Sequence, residues 1–111
     1  MALVDTHSHL YLDAFDGDRH SVMAAAREKG VKAMLLPNID TSSVAPVNRL
    51  TEEYPGVCFP MMGLHPTSVK ENYRGEFAAI RQELLTGRYV AVGEVGIDLY
   101  WDKTRLREQC R

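Results

Sequence analysis

The sequence has little of several features that would indicate a specialised class of protein. Its 2 cysteines, Cys58 and Cys110, are in neither a metal-binding nor a redox spacing, and a disulfide framework would need more of them. No apolar run approaches the length of a membrane span, and no signal-peptide pattern follows Met1. We therefore expect a cytoplasmic protein with no membrane association and with free thiols, in which each cysteine is a small core residue.

An excess of charge of one sign is also lacking. The 13 basic and 15 acidic residues leave a formal net charge of −2, which argues against non-specific binding of nucleic acid through bulk charge but allows a local basic groove. If the protein acts on polyanions, metal ions must supply much of the attraction. The hydrophobic share of 45% is that of an ordinary folded protein, and 111 residues suit one domain.

Apolar segments alternate with segments of helical periodicity, with a repeat of about thirty residues, as in the βαβ units of a parallel sheet. The predicted strands are 2–6, 31–39, 57–62 and 89–93, and the predicted helices are about 19–29, 44 to a stop at 54–56, and 75–86. The continuous apolar run of the second strand is typical of a strand covered on both faces. The predicted fold class is therefore α/β.

Two predictions concern the last third of the chain. The third helix is expected to bury one apolar face, made of Phe77, Ile80, Leu84 and Leu85. Asp102 or Thr104 is expected to cap a fourth helix, which reaches Arg111 without a helix-stop signal. We therefore expect that the fourth helix is cut short and that a sheet of four strands has both edges open.

Two histidines one residue apart follow the first apolar run, in VDTHSHL (4–10). Side chains alternate along a strand, so His7 and His9 are expected on one face, where two neutral imidazoles can bind one metal ion. A bare H-x-H is a short pattern with many accidental matches. The alternative is a pair of ordinary polar residues at the end of a strand.

Two further motifs follow the third and fourth predicted strands. Glu94, in VGEVGID, is a carboxylate that can bridge two hard cations, and a two-metal site suits hydrolysis of a phosphodiester. His65, in GLHP, can donate a hydrogen bond to a phosphate oxygen or orient a nucleophile. Because parallel α/β folds place their active sites at the carboxyl ends of the strands, these residues are expected beside His7 and His9. The alternatives are a surface acid and a turn histidine.

The loop after the fourth strand is rich in aromatic and charged residues. Tyr100 and Trp101 are candidates for substrate binding because aromatic side chains stack on the bases of single-stranded nucleic acid. Packing over the mouth of the sheet is an equally good interpretation. Lys103, Arg105 and Arg107 form a basic cluster, which is usually a solvated helix face and less often a phosphate contact.

Taken together, VDTHSHL, GLHP and VGEVGIDLYWDK make this sequence resemble the amino-terminal part of the TatD family of metal-dependent deoxyribonucleases, within the amidohydrolase superfamily. The resemblance implies a TIM barrel, of which the chain supplies about the first four of eight strands. Residues 1–111 would then be the amino-terminal part of a single hydrolase domain. The implied activity is hydrolysis of DNA phosphodiester bonds, often from the 3′ end, with two divalent metal ions in the complete site.

The resemblance also implies a role for each matching residue. His7 and His9 correspond to metal ligands, and Glu94 corresponds to the catalytic carboxylate that binds and usually bridges the metals. His65 corresponds to a histidine beside the site that contacts substrate and is a second catalytic candidate. Asp98 corresponds to the acid of a GxD segment and is a candidate for substrate binding, with its role left open.

Other interpretations stay open at the level of sequence. Family members take two more histidines and an aspartate from later strands, and a full barrel has about 250 residues. The chain is therefore a DNase, an amidohydrolase or phosphoesterase acting on a small substrate, or an inactive fragment that self-associates through open sheet edges. Histidine ligands favour zinc or manganese, whereas a bridging carboxylate also admits magnesium. The sequence does not distinguish DNA from RNA or exonuclease from endonuclease action.

Overall fold

Four parallel strands lie side by side in chain order, and each is followed by a helix. The computed structural model describes residues 1–111. The strands are β1 (Leu3–Asp5), β2 (Val31–Leu36), β3 (Cys58–Met62) and β4 (Ala91–Val92). The helices are α1 (Arg19–Glu28), α2 (Val44–Glu53), α3 (Tyr73–Leu84) and α4 (Leu106–Gln109). This architecture confirms the predicted α/β class and the parallel βα units.

The sheet is better paired at its centre than at its outer edge. Three consecutive residues of β2, Met34 to Leu36, pair with residues 58–60 of β3. In β4 only Ala91 and Val92 pair with β3, so this strand is shorter than the predicted span 89–93. The backbone N–H of Gly93 also donates to the carbonyl of Met62, at 3.0 Å. The pairing with β3 therefore extends one residue beyond β4, to the residue that precedes Glu94.

A capping box stands at the start of the single 3-10 turn, Thr41–Ser43, that leads into α2. The Asp40 carboxylate accepts a hydrogen bond from the backbone N–H of Ser42 at 2.9 Å, and the Ser43 hydroxyl accepts one from the backbone N–H of Asp40 at 3.2 Å. These bonds satisfy N–H groups that have no partner inside the helix. The box also fixes the direction in which the chain leaves β2.

The hydrophobic core lies between strands β2 and β3 and helices α1 and α2. Its centre consists of side chains that are at most 2% exposed: Met23, Met34, Leu36, Val47 and Cys58. Leu10 and Tyr11, from the loop after β1, belong to the same cluster. Full burial of an apolar side chain of this size contributes about 1.5–3 kcal/mol each. The core therefore holds the carboxyl end of β1 firmly against β2.

Helix α3 buries less than its sequence predicts. Ile80 is 4% exposed, but Phe77 is 53% and Leu85 70% exposed, so the predicted inward face is wrong for these two residues. The reason is that α3 packs on β3 and the turn 41–43, and the next strand, β4, has only two residues and offers too little surface to cover a full helix face. A helix that spans a bilayer needs about 20 residues; α3 is the longest helix here, with 12, and none qualifies as a membrane span.

Two smaller predictions near the end of the chain are also wrong. Cys110 is exposed and is not a core residue, whereas Cys58 is buried as predicted. Neither Asp102 nor Thr104 caps α4, which begins after Arg105. The Asp102 carboxylate instead accepts hydrogen bonds from the backbone N–H and the hydroxyl of Thr104, at 2.7 and 2.6 Å. These local bonds form a turn that competes with helix initiation.

Candidate metal centre

His7 and His9 lie just beyond β1, in a segment that still runs beside β2. The chain bends at Thr6, and the backbone N–H of Ser8 then donates to the carbonyl of Leu35 at 3.0 Å, so residues 7–9 stay beside β2. Side chains alternate along such a segment. The Nε2 atoms of the two histidines therefore come together, 3.1 Å apart.

Glu94 is positioned by backbone contacts to the end of β2, across β3. Its N–H donates to the carbonyl of Asn38 at 3.0 Å, and the N–H of Asn38 donates to the carbonyl of Gly93 at 3.1 Å. Gly63, at the end of β3, leaves room for this crossing. A Cβ at that position would lie 2.7 Å from the Glu94 carbonyl oxygen.

Asn38 is fully buried and joins the ends of three strands. Its side-chain amide donates to the carbonyls of Asp40 and Gly63, each at 2.9 Å, and its side-chain oxygen accepts from the Ser43 hydroxyl at 2.6 Å. All of its polar atoms are thus satisfied inside the fold. Asn38 therefore helps to fix the positions of the strand ends relative to one another at the carboxyl edge of the sheet.

The Glu94 carboxylate faces both histidines at metal-ligand spacing. Its Oε2 lies 3.3 Å from the Nε2 of His7 and 3.3 Å from the Nε2 of His9. Ligand atoms that are each about 2.0–2.1 Å from one ion, in tetrahedral or octahedral geometry, lie about 3.0–3.4 Å apart. Oε2 is also buried and accepts no hydrogen bond. These three atoms therefore fit a single divalent ion.

The charge state of His9 agrees with this fit. Burial lowers the pKa of His9, the nearby His7 lowers it further, and the Glu94 carboxylate opposes both effects. A lowered pKa favours the neutral ring, which is the form that binds metal. Nitrogen and carboxylate ligands together suit zinc and manganese, and the carboxylate also suits magnesium.

His65 faces Glu94 from beyond the end of β3, and it differs from His7 and His9 in the hydrogen bonds that its ring makes. Its Nδ1 accepts a hydrogen bond from the backbone N–H of Thr67 at 3.1 Å. Because a neutral imidazole carries one proton, that proton is on Nε2. Nε2 lies 3.0 Å from Oε1 of Glu94 and donates to it. His65 is thus a hydrogen-bond donor at the edge of the cluster.

Asp98, Tyr100 and Trp101 lie in the loop beyond Glu94 and outside this cluster. The Asp98 carboxylate accepts a hydrogen bond from the backbone N–H of Tyr100 at 2.9 Å, which stabilises the loop. Tyr100 and Trp101 are 80% and 79% exposed, and their rings meet edge to face. They do not pack over the mouth of the sheet, so the packing interpretation of the sequence is wrong.

Two residues beside the site, Asn38 and Tyr11, are not among those predicted from the sequence. Asn38 is a polar residue directly after the apolar run of β2, a position where a buried hydrogen-bonding role is common. Tyr11 stands two positions after His9 and continues the alternation of the two histidines. Its hydroxyl lies 2.7 Å from the Nδ1 of His9. The spacing of two residues, shared by His7, His9 and Tyr11, is the sequence signal that identifies Tyr11 as a neighbour of the site.

Sequence comparison finds relatives along nearly the whole chain. YabD of Bacillus subtilis, named an uncharacterized metal-dependent hydrolase, is 28% identical over 92% of this chain and 40% of its own length. YjjV of Escherichia coli, also named an uncharacterized metal-dependent hydrolase, is 30% identical over 96% of this chain and 41% of its own length. A protein of Musicola paradisiaca, named 3′-5′ ssDNA/RNA exonuclease TatD, is 32% identical over 98% and 41%. The chain thus spans about two fifths of the length of these relatives.

Structural and family comparisons agree with the resemblance. The crystal structure of E. coli YjjV, described as a TatD homologue, matches with a TM-score of 0.85 and 29% identity, over 97% of this chain and 42% of that one. The match confirms the predicted fold, four parallel βα units that form half of a TIM barrel. The family model described as TatD related DNase matches residues 4–111, and the chain belongs to the TatD family.

Proposed function

We propose that residues 1–111 form the amino-terminal part of a single TIM-barrel domain that hydrolyses DNA phosphodiester bonds with divalent metal ions. Within that class we propose cleavage of the 3′-5′ exonuclease type. The relative of Musicola paradisiaca carries this activity in its name, and the relatives of Bacillus subtilis and E. coli are named metal-dependent hydrolases. These names support the proposal at the level of the family.

The observation that carries the proposal is the convergence of three ligand atoms on one point. His7, His9 and Glu94 present two nitrogens and one buried oxygen that are 3.1–3.3 Å apart. A divalent ion bound there supplies an activated water and stabilises the charge of a phosphodiester during hydrolysis. The proposed complete site holds two ions, of magnesium, manganese or zinc, with Glu94 between them. The other ligands come from the part of the barrel that these residues do not supply.

Each remaining candidate residue has a proposed task in substrate binding. His65 carries its proton on Nε2, so it is able to donate to an oxygen of the scissile phosphate. The exposed rings of Tyr100 and Trp101 offer stacking surfaces for the bases of a single strand. Asp98 holds the loop that carries them through its bond to the Tyr100 N–H.

The test uses a full-length protein whose barrel begins with these 111 residues, and single-stranded DNA labelled at its 5′ end. With manganese, magnesium or zinc we expect stepwise shortening from the 3′ end, which a chelator abolishes. Glu94→Ala is expected to reduce cleavage to the level of the chelated control, because it removes one of the three converging ligands. Glu52→Ala, an exposed acid on α2, is the matched control and should keep wild-type activity.

Two outcomes would contradict the proposal, and a third concerns only the activity of the isolated chain. Wild-type turnover by Glu94→Ala at the same metal concentration would contradict the site. Hydrolysis of small esters or lactones without cleavage of DNA would favour the small-substrate amidohydrolase or phosphoesterase. If the 111-residue chain by itself self-associates and shows no metal-dependent turnover, the proposal for the complete barrel stands and the chain alone is inactive.

A further inference from the structure

Tyr11 connects the candidate metal centre to the core. Its side chain is buried, at 4% exposure, and its hydroxyl contacts two groups. One is Nδ1 of His9, at 2.7 Å, and the other is the backbone carbonyl of Pro37, at 2.5 Å. Pro37 directly follows β2 and is itself fully buried. The His9 ring is therefore tied to one of the most rigid points of the fold.

The direction of these two hydrogen bonds follows from counting protons. A carbonyl oxygen can only accept, so Tyr11 must give its single proton to Pro37. The Tyr11 oxygen can then only accept from His9, which places the His9 proton on Nδ1. A neutral ring has one proton, so Nε2 is left with a free electron pair.

We propose that Tyr11 is a positioning residue of the metal centre, which fixes His9 as the Nδ1–H tautomer and directs its unprotonated Nε2 at the ion. This inference rests on the proposed metal-dependent function. A metal-binding histidine commonly donates its other ring N–H to a neighbouring group, which orients the ring and raises its basicity. Here the neighbouring group is the Tyr11 phenol, which donates its own proton to the carbonyl of Pro37.

The two histidines of the site are not equivalent in this respect. The His7 side chain is 53% exposed against 25% for His9, and its ring contacts other residues only through Nε2. The Nδ1 of His7 has no hydrogen-bond partner, so no group outside the metal centre orients this ring. We therefore expect loss of the Tyr11 hydroxyl to act directly on His9 and not on His7.

The chain contains a matched control for this arrangement. His20 on α1 and Tyr54 after α2 form a second contact between a histidine Nδ1 and a tyrosine hydroxyl, away from the metal centre. The Tyr54 hydroxyl has no carbonyl partner comparable to Pro37. Tyr54→Phe therefore removes the same chemical group from the same kind of pair without touching the site.

The experiment measures the tautomer and the affinity separately. Long-range proton–nitrogen correlation spectra of the metal-free 111-residue chain are expected to show His9 protonated on Nδ1 in the wild type and redistributed between both nitrogens in Tyr11→Phe. Calorimetric titration with manganese or zinc is expected to show a loss of affinity of about 10–100-fold in Tyr11→Phe. Tyr54→Phe should match the wild type in both measurements at the site.

The outcomes separate this inference from the proposed function. A wild-type His9 protonated on Nε2 would overturn the inference without any variant, and so would a Tyr11→Phe chain with an unchanged His9 tautomer. Equal losses of affinity in Tyr11→Phe and Tyr54→Phe would show a general effect on folding and would also overturn it. If the wild-type chain binds neither metal, the assigned role of Tyr11 fails, whereas the proposed function is decided separately by cleavage of DNA by the full-length protein.

Discussion

The molecule contains a well-packed region, called the packed part, and a poorly packed region, called the thin part. The candidate metal centre takes ligands from both. The packed part, residues 1–62, contains the core cluster of eight buried side chains. The thin part, residues 88–111, exposes Val95, Ile97 and Trp101 by 58–79%. His7 and His9 belong to the packed part and Glu94 to the thin part. The two histidines thus stand next to the core residues Leu10 and Tyr11, and Glu94 is held by backbone hydrogen bonds.

The largest expected difference between the two parts is in stability. Leu36→Ala in β2 should lower the free energy of unfolding by about 2–5 kcal/mol, because it removes a fully buried side chain and leaves a cavity. Val95→Ala, at a residue that is 58% exposed, should change it by no more than about 0.5 kcal/mol. Urea unfolding of both variants measures the difference. Equal losses would mean that the thin part is also packed in solution.

The two cysteines test the same contrast by chemical reactivity. Burial raises the pKa of the Cys58 thiol from 9.0 to about 11, so the fraction present as reactive thiolate at pH 8 falls about 100-fold. Cys110 is exposed. In the native protein we expect a disulfide reagent to modify Cys110 at least about 100-fold faster than Cys58.

The single-thiol variants Cys58→Ala and Cys110→Ser assign the two rates. In urea the two thiols should react at similar rates, because unfolding removes the burial that raises the pKa of Cys58. A fast reaction of Cys58 in the folded chain would show that the core opens readily, and the distinction between the two parts would then disappear.

Two glycines provide the smallest expected effects, with opposite signs. Gly63→Ala should destabilise the protein by about 1–3 kcal/mol, because the new Cβ would overlap the backbone of Gly93 and Glu94, at 2.7 Å from each. Gly75→Ala, in α3 with nothing within 4 Å, should stabilise it by about 0.5–1 kcal/mol. Thermal unfolding gives both values. If Gly63→Ala were neutral, the close crossing of β3 and Glu94 would not exist in solution.

The sequence predicted the elements whose local patterns and packing agree. The periodicity of residues 19–29 and of the segment that begins at residue 44 predicts α1 and α2, and Met23 and Val47 are buried on the inward faces of these helices. The expectation that His7, His9, His65 and Glu94 share one edge followed from parallel topology alone. For such residues, a single strand or helix and its immediate neighbours contain all the information that is needed.

The sequence did not predict the burial or the hydrogen-bond partners of side chains when these depend on which other elements lie opposite. Phe77 and Leu85 have ideal helical spacing, but whether they are buried depends on the extent of the sheet beside α3. Cys110 looks like a core residue until its exposed position on α4 is known. Tyr11 and Asn38 act through partners 26 and 25 residues away, and no local pattern specifies such partners.

The way in which Asn38 holds Glu94 has a consequence for how sequences of this fold can diverge. Both bonds between them use only main-chain atoms of Gly93 and Glu94, and main-chain atoms are present whatever the neighbouring side chains are. Mutations that alter the exposed valines around β4 therefore leave the carboxylate in place. The position of the acid depends on the main chain at residue 38, which the Asn38 side chain fixes through its bonds to Asp40, Gly63 and Ser43, and the exposed valines of the outer strand are free to change.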